Sequence, residues 1–393
     1  MSFAFPTRRL SELATAIDYG VTASASAIDT GTKFLRITDI QDGSVDWAQV
    51  PYCDAPIEKL RSAGLQDSDI VFARTGATTG KSFLIKKPPD GAVFASYLIR
   101  VKPSQSIDAS YLAHFFQSEG YWRQIGRKTH GAAQGGVNAT SLSELEIPLP
   151  PLDEQRRIAA ILDEAVALRR KCKQVISLFD ELERSVFLDV FGSPETNPKG
   201  WKRGRIADLL EETQYGTSAK AGENGVFPIL RMGNITSSGG LNIEDLKYID
   251  LEAGELDKFT VRRGDILFNR TNSADLVGKT AVFDRAEMFA FAGYLVRARV
   301  KDGVSPYYVS GYLNSKHGKL VLRGMAKSIV GMANINAREL QSIPILLPDA
   351  HSQRVYSTAV AEIEASRSRC RRQFDSLDSL FSSLQHRAFS GQL

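Results

Sequence analysis

Residues 153–191, DEQRRIAAILDEAVALRRKCKQVISLFDELERSVFLDVF, contain neither proline nor glycine. Apolar side chains recur here at alternating intervals of three and four residues, as Ile158, Ile161, Ala165, Leu168, Cys172, Val175, Phe179, Leu182 and Val186. A mean interval of 3.5 residues that persists in this way is the pattern of a coiled-coil seam. The stretch therefore predicts one helix about 58 Å long, at 1.5 Å per residue, whose apolar seam needs a partner.

A second helix with the same pattern is predicted at the end of the chain. Its seam contains Tyr356, Val360, Ile363, Arg367, Cys370, Phe374, Leu377, Phe381, Leu384 and Ala388, so that one arginine interrupts the apolar residues. The first helix leads from one globular segment to the next, and the second must run back for the two seams to meet. The pair is therefore predicted to be antiparallel. The alternative is two ordinary amphipathic helices, each packed on a separate core.

The rest of the chain contains one unit twice, offset by 195–198 residues. The sequence FLRITDI at 34–40 returns as PILRMGNI at 228–235, and DIVFART at 69–75 returns as DILFNRT at 265–271. Both copies have short Val-, Ile- and Phe-rich runs between Gly, Asp and Pro, which predict strands separated by turns. Since the matches occur in the same order throughout, the chain is predicted to be an internal duplication.

The duplication and the helices together predict an α+β fold. Two similar globular domains are expected at opposite ends of a long antiparallel coiled coil, related by a pseudo-two-fold axis. The predicted segments are 1–150 for the first globular domain, 151–192 for the central helix, 193–349 for the second globular domain and 350–393 for the C-terminal helix.

Composition limits the kind of protein this chain can be. Of its 393 residues, 43% are hydrophobic and 24% charged, as in globular proteins with packed cores. No apolar run approaches the roughly 20 residues of a membrane helix, and the first residues lack the arrangement of a signal peptide. The three cysteines, Cys53, Cys172 and Cys370, are far apart and match neither a disulfide framework nor a zinc pattern. We expect a cytoplasmic protein that contacts no membrane.

The most suggestive motif is RTGATTGKS at 74–82, which resembles the phosphate-binding loop GxxxxGK[ST]. It is one residue too short, and the second copy lacks the first glycine, which argues against a nucleotide-hydrolysing enzyme. A hairpin turn and a loop that contacts phosphate both remain open. The candidate DNA-binding residues, taken from matching positions of the two copies, are Arg36, Arg74, Thr75, Lys81, Arg231, Arg270, Thr271 and Lys279.

Other features favour structure over chemistry. Tyr97 and Tyr294 lie within apolar alternations, which favours the core over base stacking. The segments 130–138 and 328–334 are either surface loops or plain connectors. The sequence shows no convincing nuclease, metal or methyltransferase motif, so neither a catalytic residue nor a metal site is expected. The net charge of +4 is low for a protein that grips nucleic acid alone, so a DNA-binding role would require partner proteins to share the phosphate contacts.

The order of globular unit, IPLPPLDEQRRI at 147–158, long helix, second unit, IPILLPDAHSQR at 343–354 and second long helix resembles the specificity subunit of type I restriction-modification systems. The resemblance covers essentially the whole chain. Its most specific parts are residues 148–156 and the ending QHRAFSG at 385–391. The second copy departs from the pattern, because DAHSQ at 349–353 replaces PLDEQ.

The resemblance implies a non-catalytic DNA-recognition subunit. Each globular domain would read one half of a split, asymmetric double-stranded DNA site, while the helical rod sets the gap and docks two methyltransferase subunits. Those partners would use S-adenosylmethionine to methylate adenine N6, and restriction subunits that use ATP and magnesium would join them in some complexes. The predicted helix interface is Ile158, Ile161, Leu168, Val175, Phe179, Leu182, Ile363, Phe374, Leu377, Phe381 and Leu384. The rival hypothesis is a coiled-coil scaffold whose globular domains bind proteins.

Overall fold

The computed structural model describes residues 5–41, 43–129, 136–273, 276–329 and 332–393. It divides the chain into two compact units, one formed by residues 1–172 with 373–393 and the other by residues 173–372. The predicted loops at 130–138 and 328–334 fall partly outside the described residues, which omit 130–135 and 330–331.

The first half of the chain begins with a mixture of short strands and helices and ends in a 40-residue helix. In chain order its elements are β1 (Thr7–Arg9), α1 (Leu10–Leu13), β2 (Ala14–Tyr19), β3 (Phe34–Leu35), β4 (Ile40–Gln41), β5 (Ser44–Val45), α2 (Ile57–Ser62), β6 (Ile70–Ala73), β7 (Ser82–Leu84), β8 (Val93–Phe94), β9 (Leu98–Pro103), α3 (Ala109–Phe115), α4 (Glu119–Thr129), α5 (Ala139–Ser143), β10 (Glu146–Pro148) and α6 (Leu152–Phe191).

The second half has a similar sequence of elements and ends in a 41-residue helix. They are β11 (Lys202–Arg205), α7 (Ile206–Leu209), β12 (Leu210–Tyr215), β13 (Phe227–Leu230), β14 (Lys247–Ile249), α8 (Leu256–Phe259), β15 (Thr260–Val261), β16 (Ile266–Asn269), β17 (Thr271–Asn272), β18 (Thr280–Val282), β19 (Phe289–Phe291), β20 (Leu295–Val300), α9 (Pro306–Asn314), α10 (Lys316–Met325), β21 (Lys327–Ile329), β22 (Met332–Asn334), α11 (Ala337–Ser342), β23 (Pro344–Leu347) and α12 (Ala350–Ser390).

Each unit is built on the same four-stranded antiparallel sheet. The strand order is β2-β9-β6-β7 in the first unit and β12-β20-β16-β18 in the second. A short antiparallel pair precedes each long helix, β1 with β10 and β11 with β23. A short parallel pair also recurs, β3 with β8 and β13 with β19. The predicted duplication and the α+β class are thereby confirmed.

The long helices complete the cores of the globular units. In the first unit, Phe389 of α12 packs against Tyr111 and Phe115 of α3, with ring centroids 5.3 and 5.4 Å apart. In the second unit, Phe191 of α6 packs at 4.6 Å from Tyr308 of α9. The first core therefore contains side chains from a helix that is remote in sequence, and the second contains side chains from the helix that directly precedes it.

The two helices run antiparallel in both units. In the first unit, Arg157 donates to the carbonyl oxygen of Leu393 at 2.8 Å, and Arg169 pairs with Asp378. In the second unit, Arg367 pairs with Asp180 at 3.1 Å and with Glu183 at 3.3 Å. Residue numbers rise along α6 as they fall along α12, so the predicted antiparallel pairing is correct.

The predicted α12 seam lies on the covered face of that helix. Ile363 and Phe381 are buried, and Phe374, Leu377 and Leu384 are half-buried. For α6 the prediction is only partly right: Ile158 is fully buried, and Ile161 and Phe179 are half-buried.

For three α6 residues the predicted place in the helix interface is wrong. Leu168, Val175 and Leu182 are 46, 43 and 46% exposed. The next residues along the helix, Arg169, Ile176 and Glu183, take the covered positions instead. Two of these are polar residues whose charges are paired with Asp378 and Arg367. Counting only apolar residues therefore selected the neighbouring, solvent-facing stripe.

Among the described residues, no helix is both long and apolar enough to span a bilayer.

The α12 contribution to the first core gives a stability prediction. Phe389→Ala removes a buried ring between Tyr111 and Phe115, and we expect the free energy of unfolding to fall by about 3–5 kcal/mol. The matched control is Leu380→Ala on the same helix, at a side chain that is 51% exposed. We expect a change within about 0.5 kcal/mol for the control. Urea denaturation of both variants measures the difference, and equal losses would contradict the assigned packing.

Candidate nucleic-acid interface

The loop with the phosphate-loop-like sequence is a turn between antiparallel strands. It connects β6 to β7, which pair from Ile70 with Leu84 to Phe72 with Ser82. A nucleotide-binding loop instead opens a helix, whose N-terminus faces the phosphates. The hairpin interpretation is therefore correct, and the loop geometry does not support the hypothesis of a nucleotide hydrolase.

The same two backbone hydrogen bonds close this loop and the corresponding loop of the second unit. Gly80 donates to Ala73 and Ala73 to Lys81, at 2.8 and 2.9 Å, which closes the first loop. Gly278 donates to Asn269 and Asn269 to Lys279 at the same two distances in the second unit. Each loop therefore projects an arginine from the end of the strand, Arg74 or Arg270.

Both arginines lie over a tyrosine ring. The guanidinium carbon of Arg74 is 5.0 Å from the ring centroid of Tyr19, and that of Arg270 is 4.9 Å from the ring centroid of Tyr215. The attraction of a cation to the ring face favours this placement. Each tyrosine hydroxyl in turn accepts a hydrogen bond from the first residue of a helix, Ala139 N at 3.1 Å and Ala337 N at 3.0 Å.

The arginine backbones are held in the same way in the two units. The amide of Arg74 donates to Tyr97, and its carbonyl accepts from Val137, at 3.1 and 3.0 Å. The amide of Arg270 donates to Tyr294, and its carbonyl accepts from Ile335, at 3.0 and 2.9 Å. Duplication has thus preserved both backbone hydrogen bonds of this residue.

Neither arginine has a carboxylate partner within the described ranges. Arg74 is exposed, while Arg270 is half-buried and makes long contacts to the carbonyl of Gly293 and the side-chain oxygen of Asn334, both at 3.4 Å. An arginine whose charge the protein does not neutralise can donate to an external anion, which at Arg270 would replace these two long contacts.

The prediction that Tyr97 and Tyr294 belong to the core is wrong, because they are 69 and 53% exposed. Each lies in a tight turn one residue before β9 or β20, so the alternation of the strand does not apply to it. The turns are closed by Leu98 N to Ala95 O at 2.9 Å and Leu295 N to Ala292 O at 2.8 Å. The exposed tyrosines therefore lie beside the arginines.

Sequence reasoning missed Tyr19 and Tyr215. A signal was present, because each is followed by a glycine and the pair repeats at an offset of 196 residues, within the range of the duplication. The glycine is required by packing, since a Cβ at Gly20 or Gly216 would lie 2.1 or 2.4 Å from a backbone oxygen of the neighbouring strand.

The two loops differ in their remaining predicted contacts. Thr75 and Lys81 are exposed in the first unit. Thr271 and Lys279 are buried in the second, which makes their assignment as DNA contacts wrong. Thr271 belongs to β17, which pairs with β22, and its hydroxyl accepts from Asn334 at 3.1 Å.

The ammonium of Lys279 is turned into the second unit. It donates to the carbonyl oxygens of Ile235 and Met232, at 2.5 and 3.2 Å, and burial lowers the pKa of this lysine. Gly278, at a φ of +77°, packs against Leu322 so closely that a Cβ would lie 2.6 Å from a side-chain carbon. Lys279 therefore stabilises the base of the loop.

Arg36 and Arg231 are engaged with the protein itself. Arg36 makes a two-point contact with Asp39, from Nε at 3.1 Å and from a terminal nitrogen at 2.8 Å, which raises the pKa of Arg36. Arg231 contacts the side chain and the carbonyl of Asp245 at 3.2 and 3.0 Å. Their charges are thus partly neutralised, unlike those of Arg74 and Arg270.

In the second unit, Arg231 and the exposed Tyr294 share a cavity of about 580 Å³. Its other lining residues are Ala219, Ala221, Ile229, Met232, Gly233, Asn234, Asn242, Asp245 and Ala292. The cavity thus combines amide, carboxylate and apolar groups beside an aromatic ring. Within the described part of the chain, no cluster of His, Cys, Asp and Glu is suited to a metal ion.

Comparison with known proteins identifies the family. The model of the type I restriction modification DNA specificity domain matches residues 7–177 and again residues 198–365. Together these matches cover most of the chain, so the protein belongs to this family of DNA specificity domains. More particularly, it is a specificity subunit of a type I restriction-modification system, with one recognition domain in each half of the chain. Its role there is recognition, and its partners are DNA and the other subunits of such a complex.

Curated relatives match nearly the whole chain. The EcoKI specificity subunit of Escherichia coli K12 is 24% identical over 93% of this chain and 83% of that protein. The StySPI specificity subunit of Salmonella potsdam gives the same identity and the same coverage. The resemblance identified from the sequence is confirmed, and the scaffold alternative gains no support.

Solved structures share the fold. A chain from work on complex assembly and conformational transition of the type I restriction-modification system has a TM-score of 0.58 at 18% identity, with both chains fully covered. The specificity subunit from M. genitalium also has a TM-score of 0.58, at 13% identity, over 99% of this chain and 96% of that one.

A second lysine near the loop base gives a pH prediction. Lys319 donates to the carbonyl of Gly278 at 3.0 Å, and burial, together with the charges of Lys279 and Arg323, lowers the pKa of Lys319 to about 8. Between that value and the ordinary 10.5, the unfolded chain holds a proton here that the folded protein lacks. This lysine therefore makes the free energy of unfolding rise as the pH rises through that window.

Urea denaturation at pH 7.5 and pH 9.5 measures this contribution. We expect Lys319→Met to lose part of the increase in unfolding free energy seen for the unaltered protein. Lys316→Met, at an exposed position of the same helix, is the matched control and should keep it. Equal increases in all three proteins would show that Lys319 does not titrate in this window.

Proposed function

We propose that each globular unit reads one half of a split DNA site whose two halves differ. The observation that carries this proposal is the repeated arginine over tyrosine, Arg74 on Tyr19 and Arg270 on Tyr215. Two copies of one anion-binding arrangement suit the two backbones and the pseudo-two-fold symmetry of a DNA duplex. Because the loop side chains differ between the units, the preferred half-sites should differ as well.

The bound partners in this proposal are two methyltransferase subunits. The stripe of Leu168, Val175 and Leu182 repeats every seven residues along α6 and is exposed, although it is apolar. Exposed apolar stripes of this kind mark protein-binding surfaces. A methyltransferase on this stripe would also supply positive charge along the DNA, which fits the low net charge of the specificity subunit.

The chemistry in this proposal belongs to the partners. The methyltransferase subunits would bind S-adenosylmethionine and methylate adenine N6, while restriction subunits, where present, would bind ATP and magnesium. This chain would supply no catalytic group and no cofactor site. Its working compartment would be the cytoplasm, where DNA and these partners meet.

A map of methylated adenine tests the proposal. A naive host would carry the gene of a partner methyltransferase with and without the gene for this chain. We expect a split, asymmetric motif that is modified only when both proteins are present. No new modification, although the two proteins co-purify, would contradict the proposal and favour a scaffold.

A variant with Ser at positions 168, 175 and 182 tests the docking stripe in the same host. Because these side chains face solvent, the variant should fold but fail to co-purify with the methyltransferase, and modification should disappear. Leu380→Ser, an equally exposed change on α12, is the matched control and should leave modification intact.

A further inference from the structure

The two units share one part of the interface and differ in another. The shared part, here called the arginine clamp, consists of Arg74 with Tyr19 in the first unit and Arg270 with Tyr215 in the second. The two stacking distances agree within 0.1 Å, at 5.0 and 4.9 Å. Both arginines also have the same pair of backbone hydrogen bonds, and both tyrosines cap the amide of a following helix.

The part that differs is the burial of the side chains at the two ends of each loop. The first unit exposes Thr75 and Lys81, whereas the second buries Thr271 and Lys279. In the second unit, Tyr294 lines a cavity that also includes Arg231. Side chains that a base edge would meet are therefore not equivalent in the two units.

The arrangement that the two units share cannot by itself distinguish two different half-sites. What the two halves have in common is the sugar-phosphate backbone. We propose that Arg74 and Arg270 bind backbone phosphates at equivalent positions of the two half-sites, and that Lys81, whose side chain is exposed at the end of the loop, reads a base in the first half. This inference rests on the proposed function. It divides the interface into phosphate-binding arginines that both units share and base-reading side chains that differ between the units.

The chemistry of the clamp fits a phosphate. The guanidinium carbon of each arginine lies over a tyrosine ring, and a guanidinium can donate two parallel hydrogen bonds to phosphate oxygens. Arg74 is exposed, whereas a phosphate at Arg270 would replace its two 3.4 Å contacts to Gly293 and Asn334. Among the described residues no carboxylate competes for either arginine, in contrast to Arg36 and Arg231, which contact Asp39 and Asp245.

Two readouts separate phosphate contact from base reading. The first is the affinity of the full chain, in complex with its methyltransferase, for a duplex carrying the mapped motif, measured between 50 and 200 mM salt. The second is the modified motif itself. Loss of one phosphate contact lowers the slope of log affinity against log salt by about 1, without sequence preference. Loss of a base contact relaxes one position of the motif.

We expect Arg74→Ala and Arg270→Ala each to weaken binding roughly tenfold, to lower the salt slope by about 1 and to leave the motif unchanged. Arg74→Lys and Arg270→Lys, which keep the charge, should restore the slope. Lys81→Ala should relax the motif in the first half only. Equal thermal stability and equal co-purification with the methyltransferase show that each variant is folded and assembled.

Three results would overturn the inference. They are relaxation of one motif position by Arg74→Ala with an unchanged salt slope, unchanged affinity in both alanine variants, and an unchanged motif in Lys81→Ala. Failure of the proposed function looks different, because the unaltered complex would then bind the motif duplex no better than a scrambled duplex.

Discussion

The packing of α6 against α12 is the constraint on which both globular units depend. Phe389, close to the end of the chain, fills the core of the first unit beside Tyr111, and Phe191 fills the core of the second beside Tyr308. The first core needs the end of α12, which is remote from it in sequence, and the second core needs the end of α6, which directly precedes it. Because the helices are antiparallel, the return of α12 to the first unit is a condition of folding as well as of assembly.

Since the duplication, one set of interactions has stayed the same in the two units and another has diverged. The backbone bonds that hold Arg74 and Arg270, and the tyrosines beneath them, are equivalent in the two units. The neighbouring lysines have separated in role, since Lys81 faces solvent and Lys279 holds the carbonyls of Ile235 and Met232. A recognition protein needs this division, because the DNA backbone is common to every site while the base edges are not.

The sequence predicted the features that depend on regular spacing or on repetition: the long helices, their antiparallel pairing, the duplicated sheet and the arginines at matching positions. It failed where tertiary structure overrides a local pattern. Leu168 looked like a seam residue, but Arg169 takes the covered position because Asp378 neutralises it. Tyr97 looked buried because the turn before β9 was not recognised. Lys279 was predicted to contact DNA because no spacing rule shows that its loop is fixed by the pairing of β17 with β22.

The proposed spacing role of the helix pair has a direct test. Seven residues inserted after Cys172 in α6 and seven after Arg372 in α12 preserve the heptad pattern and lengthen each helix by about 10 Å, which corresponds to about three base pairs. The modification map of a host carrying this variant should show both half-sites unchanged and the gap between them widened by about three base pairs. Both half-sites separated by the original gap would contradict the account, because the helices would then not set the distance between the two recognition units.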